Sequence, residues 1–374
     1  MTLPRRLRHV AALLLPFVSV PVVSVNAQQG ASDVELHGFG NWAYGRTNGN
    51  QYLSGDESGR YDHAAFSVNV AASAGDRLRV VAQPFFEDGP EGTEIALDYA
   101  FAEWKFSDKL ELRAGKVPLP FGISTEVFDV GTLRPFLELP QAVYGPVGIV
   151  GESYTGVGLT GSFDLKGGWG LAYDVFGGGQ QLEEFFPPEA VALGEDFDEI
   201  TRVEKTRDML GARLVLATPF EGLSAGGSFY TGIESAISRR SAFGLQAEYR
   251  TGPWSLRSEY VHEVVRDDIK ATGFYGEAAY RIGPHWQVAA QHGRFTLELA
   301  GVAEPAAPSL LEHEETAMSL NYWWNHNFVF KLSFHHVDGN RLAGPDPSEL
   351  AGAVASGRLE PTTNLVAFGA QFSF

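Results

Sequence analysis

The feature that most restricts this chain is an alternation of apolar and polar residues that recurs in about sixteen short segments from Glu35 to the final residue. Between Ala64 and Ser73 the larger positions Phe66, Val68 and Val70 alternate with Ser67, Asn69 and Ala71. The same beat returns in Phe243-Leu245-Ala247-Tyr249, in Trp254-Leu256-Ser258-Tyr260 and in Met318-Leu320-Tyr322-Trp324. A period of two puts the sets on opposite faces of a strand. Each segment is close to the 9 to 11 residues that a tilted strand needs to cross a bilayer. One segment resists: Ile95, Leu97, Tyr99 and Phe101 share a parity that Ala102, Trp104 and Phe106 do not, which predicts a bulge near Phe101.

The joins sort by parity. Turns at residues 73–77, 107–109, 164–167, 219–222, 252–253, 283–285 and 325–327 are tight, whereas joins at 45–62, 117–152, 177–207, 298–312 and 338–364 are long. Short turns at one end and long loops at the other are the layout of an outer-membrane barrel, and a soluble sandwich has no reason to sort its loops in this way. Two joins at the long end, near Ser235 and Arg266, are short. Trp169, Trp254, Trp286 and Phe328 begin strands just after tight turns, while Trp104 and Phe106 end one just before. They therefore share one height, where an amphipathic ring favours the headgroup layer.

Other properties narrow the class. Arg5, Arg6 and Arg8 precede an apolar run that ends at Val25-Asn26-Ala27, the pattern of a cleaved export signal. Residues 1–27 are read as that signal, 28–34 as a short N-terminal segment and 35–374 as the barrel, with an inserted loop at 117–152. The formal charge of −18 argues against a nucleic-acid partner, since phosphates reward a basic face. No cysteine is present, no calcium-loop spacing occurs, and neither a cofactor nor a metal is expected. His335 and His336 are adjacent and point to opposite faces, and no Ser, His and acid spacing suggests a triad, so no catalytic residue is assigned and the chain is read as no enzyme.

The longest ordered irregularity follows Leu110-Glu111-Leu112-Arg113-Ala114-Gly115-Lys116. It carries Pro118, Pro120, Pro135, Pro140 and Pro146, so it is neither one strand nor one long helix. It also carries Phe121, Phe128, Leu133, Phe136, Leu139, Val143 and Tyr144, which need something to pack on. A proline-pinned apolar loop in a strand-rich chain is expected to fold into the lumen and narrow it. The stretch LELRAGKVPLPFGISTEVFDVGTLRPF, followed by LPQAVYG, resembles the segment that leaves a strand and enters the third loop in the phosphate-selective porin O and P superfamily. The last strand, with Val366, Phe368, Ala370, Phe372 and a terminal Phe374, is similar to the closing strand of Gram-negative outer-membrane proteins.

That resemblance implies an all-β, sixteen-stranded antiparallel transmembrane barrel, usually a homotrimer, in the outer membrane of a Gram-negative bacterium. It implies a passive channel for small hydrophilic solutes or ions, with outer-membrane lipid and lipopolysaccharide around it. The residues themselves leave a non-conducting structural or adhesive barrel as the alternative. If the apolar parity faces lipid, the other parity lines water. On that reading the pore wall carries Arg79, Arg113, Arg213, Arg250, Arg257, Arg281 and Lys331, and the constriction loop offers Lys116, Glu126, Asp129, Arg134 and Glu138. Wall arginines such as Arg79, Arg113 and Arg257 are expected to face Glu126, Asp129 and Glu138 across the narrowest section, with an anion preference as the finer reading.

Overall fold

The computed structural model describes residues 34–89, 92–145, 149–185, 202–235, 238–265, 269–301 and 307–374. The expected export signal and the acid-rich middle of the fourth outer loop lie outside the described residues. In chain order the strands are β1 (Val34–Thr47), β2 (Gly55–Asp56), β3 (Arg60–Ser73), β4 (Leu78–Gly89), β5 (Gly92–Ser107), β6 (Leu110–Pro118), β7 (Ser153–Asp164), β8 (Gly170–Phe185) and β9 (Arg202–Ala217). They continue with β10 (Leu223–Ser235), β11 (Ser238–Thr251), β12 (Trp254–Val265), β13 (Ile269–Ile282), β14 (Trp286–Leu299), β15 (Glu312–Asn325), β16 (Phe328–Asp338) and β17 (Thr362–Ser373).

Apart from the two-residue β2, which pairs parallel to β1 inside the first outer loop, every strand is antiparallel to its sequence neighbours. The sheet closes where β1 meets β17, with Phe39 opposite Ser373 and Thr47 opposite Leu365. Sixteen wall strands in a closed ring leave no free edge, which satisfies every ladder group in a medium without water. The alternation divides inside from outside as expected. Leu245, Trp254, Phe274, Trp286, Met318, Phe334 and Val366 are exposed on the outer surface, where hydrocarbon would cover them. Gln83, Asp174, Glu259, Glu277, Gln291, Asn321, Lys331 and Gln371 are buried on the inner one.

The bulge exists, slightly upstream of the expected place. Pairing of β4 with β5 slips between Gln83 and Pro84, so Asp98 is the extra residue and Tyr99 and Phe101 turn inward. Pro84, which cannot donate to a ladder, sits where the slip removes the need for it. At the fourth outer loop β8 and β9 run farther than the alternation suggested, to Phe185 and from Arg202. The join between Gly89 and Gly92 is a third short connection at the long-loop end.

Candidate functional site

The inserted segment begins two residues later than its proline pattern suggested. Val117 and Pro118 stay in the ladder opposite Tyr154 and Ser153, so the third loop is residues 119–152. Its base is closed by the Leu119 amide donating to the Glu152 carbonyl at 2.9 Å. Two short 3-10 turns, Thr125–Val127 and Gly131–Leu133, and one helical turn, α1 (Gln141–Tyr144), fit between the prolines.

Phe121 is fully buried and meets the Tyr230 ring edge-on at 5.5 Å. The next residue explains the Pro-Phe-Gly run. Gly122 has φ +73, and a Cβ there would lie 2.5 Å from Glu259 Oε1 and 2.6 Å from Tyr144 Oη. Only glycine allows the backbone to turn against those two oxygens. Glu259, on β12, accepts from the Ile123 amide at 2.8 Å, from the Tyr144 hydroxyl at 2.6 Å and from the Tyr275 hydroxyl at 2.7 Å. Burial, and next the Glu259 charge, hold the Tyr144 phenol well above its ordinary range.

A second fastening lies farther along the loop. Lys331, fully buried on β16, donates to the carbonyls of Gly131 at 2.8 Å, Arg134 at 2.6 Å and Phe136 at 2.8 Å, and also to Gln371. Asn321 donates to Pro135 O at 2.8 Å and Gln371 to Leu137 O at 2.8 Å. Arg134 turns back on its own loop, donating to Leu137 O and, at 2.6 Å, to Phe128 O. Inward glycines make the room: a Cβ at Gly244 would press on Phe121, at Gly273 and Gly293 on Ala142, and at Gly369 on Leu137. The loop therefore lies inside the barrel against β10 to β17.

Two cavities remain beside it, lined by residues of β1, of β3 to β8 and of the loop itself. The outer one, of about 710 Å³, is lined by the carboxylates of Glu87, Glu94, Asp98, Asp129, Glu138 and Glu152, with Arg60, His63, Lys116 and Arg134 as the basic residues. The inner one, of about 230 Å³, is lined by Arg79, Arg113, Glu103 and Glu126 among others. Between them Gln83 bonds Asp98 at 3.2 Å, and the Tyr99 hydroxyl reaches the Thr125 carbonyl at 3.4 Å.

The expected wall-to-loop opposition holds for one acid. Glu126 lies 3.5 Å from Arg113 and 3.1 Å from Arg213. Both arginines also hold a wall carboxylate, Glu103 at 2.7 Å for Arg113 and Asp174 at 2.9 Å for Arg213. Arg257 faces no loop acid: it pairs with Glu248 at 2.9 Å and donates to Leu133 O at 3.1 Å. Arg79 pairs with Glu35 at 2.5 Å near the tight-turn end. Arg250, on Glu248, and Arg281, its guanidinium 4.4 Å from the Trp323 ring centre, also stand near that end.

Three assignments change. Lys116 is on β6, not in the loop, in register with Thr155 on the parity of Val157 and Leu159, and its ammonium donates to the Leu97 carbonyl. Lys331 is a staple under the loop and not an exposed pore charge. Arg134 braces the loop from within, for the polyproline-interrupted backbone leaves carbonyls that no helix or ladder satisfies.

Glu138 meets His63 at 3.7 Å, and His63 meets Glu87 at 3.4 Å. Asp129 has no hydrogen bond or ion pair of its side chain among the described residues. Burial, then the nearby charge of Asp98, with Glu138 and Glu87 adding and Arg134 opposing, raises its carboxyl to about 7.

Strand spacing alone missed a buried cluster. His335 Nδ1 is 2.6 Å from Glu315 Oε1, and its Nε2 is 2.8 Å from Ser333 Oγ, an order of groups like that of a hydrolytic triad. Ser333 is 2% exposed, and the Phe136 ring of the loop sits 6.0 Å from His335, so no substrate reaches that hydroxyl. Cross-strand pairing of Ala317 with His335 brings these residues together, and a parity count along one strand cannot show it.

Residues 223–374 match the phosphate-selective porin O and P family. An uncharacterised protein of Aquifex aeolicus is 33% identical over 88 residues, which are 22% of this chain and 18% of that protein, so the match spans under a fifth of the relative's length. Among solved structures, OmpF of Salmonella typhi superposes with a TM-score of 0.57 at 14% identity, over 92% of this chain and 98% of that one. An anion-selective porin from Comamonas acidovorans gives 0.55 at 12% identity, covering 92% and 100%. OmpT of Vibrio cholerae, in its trimer form, gives 0.54 at 12% identity, again over 92% and 100%.

Proposed function

We propose that this chain, a Gram-negative outer-membrane barrel resembling the phosphate-selective porins O and P, is a passive diffusion channel for small hydrophilic solutes and ions. The observation that carries the reading is the space left beside the loop. The loop is fastened to one side of the lumen, and the cavities of about 710 Å³ and 230 Å³ lie on the other. In a sixteen-stranded wall, charges of both signs stay hydrated in such a passage. The belt of exposed tryptophans at the tight-turn end fits insertion among the lipid headgroups of the periplasmic leaflet. A homotrimer is the assembly we infer, in line with the trimer form of the Vibrio cholerae relative. Anion preference, as in the Comamonas porin, would need free arginines at the narrow section, and Arg113, Arg213 and Arg257 each hold carboxylates.

Reconstitution of the purified protein into planar bilayers tests the reading. Stepwise conductance increments that close in threes are expected. A membrane that stays silent while the protein is correctly inserted would leave the chain as a structural or adhesive barrel.

A further inference from the structure

We propose that the passage prefers cations to anions, and that carboxylates of the outer chamber, Asp129 and Glu94 foremost, set the preference. The inference rests on the channel reading above. Charge preference in a wet passage follows the charges that have no counter-charge beside them, since a paired guanidinium presents a dipole and not a field. The lumenal cations are spent in that sense. Arg113 lies between Glu103 and Glu126, Arg213 between Asp174 and Glu126, and Arg257 between Glu248 and Glu277. Arg134 and Lys331 are buried on loop carbonyls.

Two anions of the outer chamber, Asp129 and Glu94, are in a different state. Six carboxylates line the chamber against Arg60, Lys116, Arg134 and His63, of which Arg60 pairs with Asp62 outside that lining set, the Lys116 ammonium is on the Leu97 carbonyl, Arg134 is turned into the loop and His63 lies between Glu87 and Glu138. Neither Asp129 nor Glu94 has a side-chain hydrogen bond or ion pair among the described residues. A volume of about 710 Å³ corresponds to a chamber roughly 9 Å across, on the order of one Debye length at physiological salt. An ion inside is therefore within unscreened reach of every carboxylate on the lining. Tyr99 and the Gln83–Asp98 pair bound the chamber below, so solutes cross this field before reaching the paired arginines. The solute class that fits is the small hydrated cation, potassium and simple organic ammonium ions, and small carboxylates and phosphate are disfavoured.

The test is the reversal potential of the full-length protein in planar bilayers under a tenfold potassium chloride gradient. The proposal expects wild-type permeability to favour potassium by about threefold or more, and the Glu94→Gln, Asp129→Asn double variant to lose roughly half of that ratio while keeping its conductance steps. Glu138→Gln, alone, should lower the ratio less, because His63 and Arg134 already face it. Chloride preference in the wild type overturns the proposal, and so does a ratio unmoved in both variants. A wild-type protein that conducts nothing overturns the channel reading and this inference with it, whereas conduction with the wrong sign leaves the channel standing. Should the double variant not assemble, the Glu138→Gln protein and the sign of the wild-type potential decide.

Discussion

The two halves of the lumen use the same alternating strands for opposite purposes. On β10 to β17, inward polar groups reach across to the backbone of the third loop: Glu259 takes the Ile123 amide, Lys331 takes three carbonyls, and Asn321 and Gln371 take one each. On β3 to β9, inward polar groups pair with each other along the wall, as in Arg113 with Glu103 and Arg213 with Asp174. Inward glycines occur on both sides, and four of them meet the loop. Gly244, Gly273, Gly293 and Gly369 all lie on the loop-covered side, where a side chain would displace Phe121, Ala142 or Leu137. The loop-covered side thus adds glycine contacts and backbone-seeking polar groups to the self-paired wall charges, such as Arg257 with Glu248 and Glu277, that both sides carry.

The largest effect should come from breaking the fastened half at its densest point. Lys331→Met leaves three loop carbonyls without their donor, and buried groups stripped in this way cost about 1–3 kcal/mol each. We expect a clear drop in the unfolding temperature in detergent and noisy, enlarged conductance; quiet, unchanged channels would mean that Lys331 is not the staple. Glu259→Leu removes three hydrogen bonds at the loop's first turn and should cost about 2–4 kcal/mol, read as a lower midpoint in denaturant. Gly122→Ala forces a side chain into a left-handed backbone and against Glu259, for about 1–3 kcal/mol of strain, and Phe121 should then become accessible to protease around the loop.

Smaller and reversible effects belong to the open half. Asp129 is raised to about 7 mainly by burial and then by Asp98, with Glu138 and Glu87 adding and Arg134 opposing; His63 faces Glu138 and Glu87 beside it. Between about pH 4 and the folded value, this carboxyl binds more protons in the folded than in the unfolded chain, so its contribution to stability falls as pH rises through that window and is constant above it. The same ionisation adds a lumenal anion. Cation preference is therefore expected to grow from pH 6 to pH 8, and a preference that is flat in the wild type would remove Asp129 from the account. Smallest of all, Arg250→Gln should leave the reversal potential nearly unchanged, since that guanidinium is exposed at the tight-turn end.

Much of the barrel was legible because a period of two has one physical reading when loops sort by length. Leu245, Phe274 and Val366 face outward, and Glu259 and Lys331 inward, as their parity dictates. The bulge was legible as a parity break, displaced to Asp98 because Pro84 opposite fixes where a ladder bond is absent. The loop's inward fold was legible from its apolar prolines. What each inward charge does was not. Lys331 and Arg257 share a parity and a sign, yet one is sealed under the loop and the other is held by Glu248 and Glu277. Partner choice depends on which loop atom crosses the lumen to meet a strand, and strand periodicity carries no information on that distance.

The side of the lumen that the loop leaves open can be read by single-cysteine block, which this cysteine-free chain suits. Asn69→Cys lines the inner cavity, and Ser319→Cys lies beneath Pro135 of the loop. A charged methanethiosulfonate reagent should reduce single-channel current through the Asn69→Cys protein within seconds and leave the Ser319→Cys current unchanged. Block at Ser319→Cys with none at Asn69→Cys would put the passage on the other side of the loop and contradict the account.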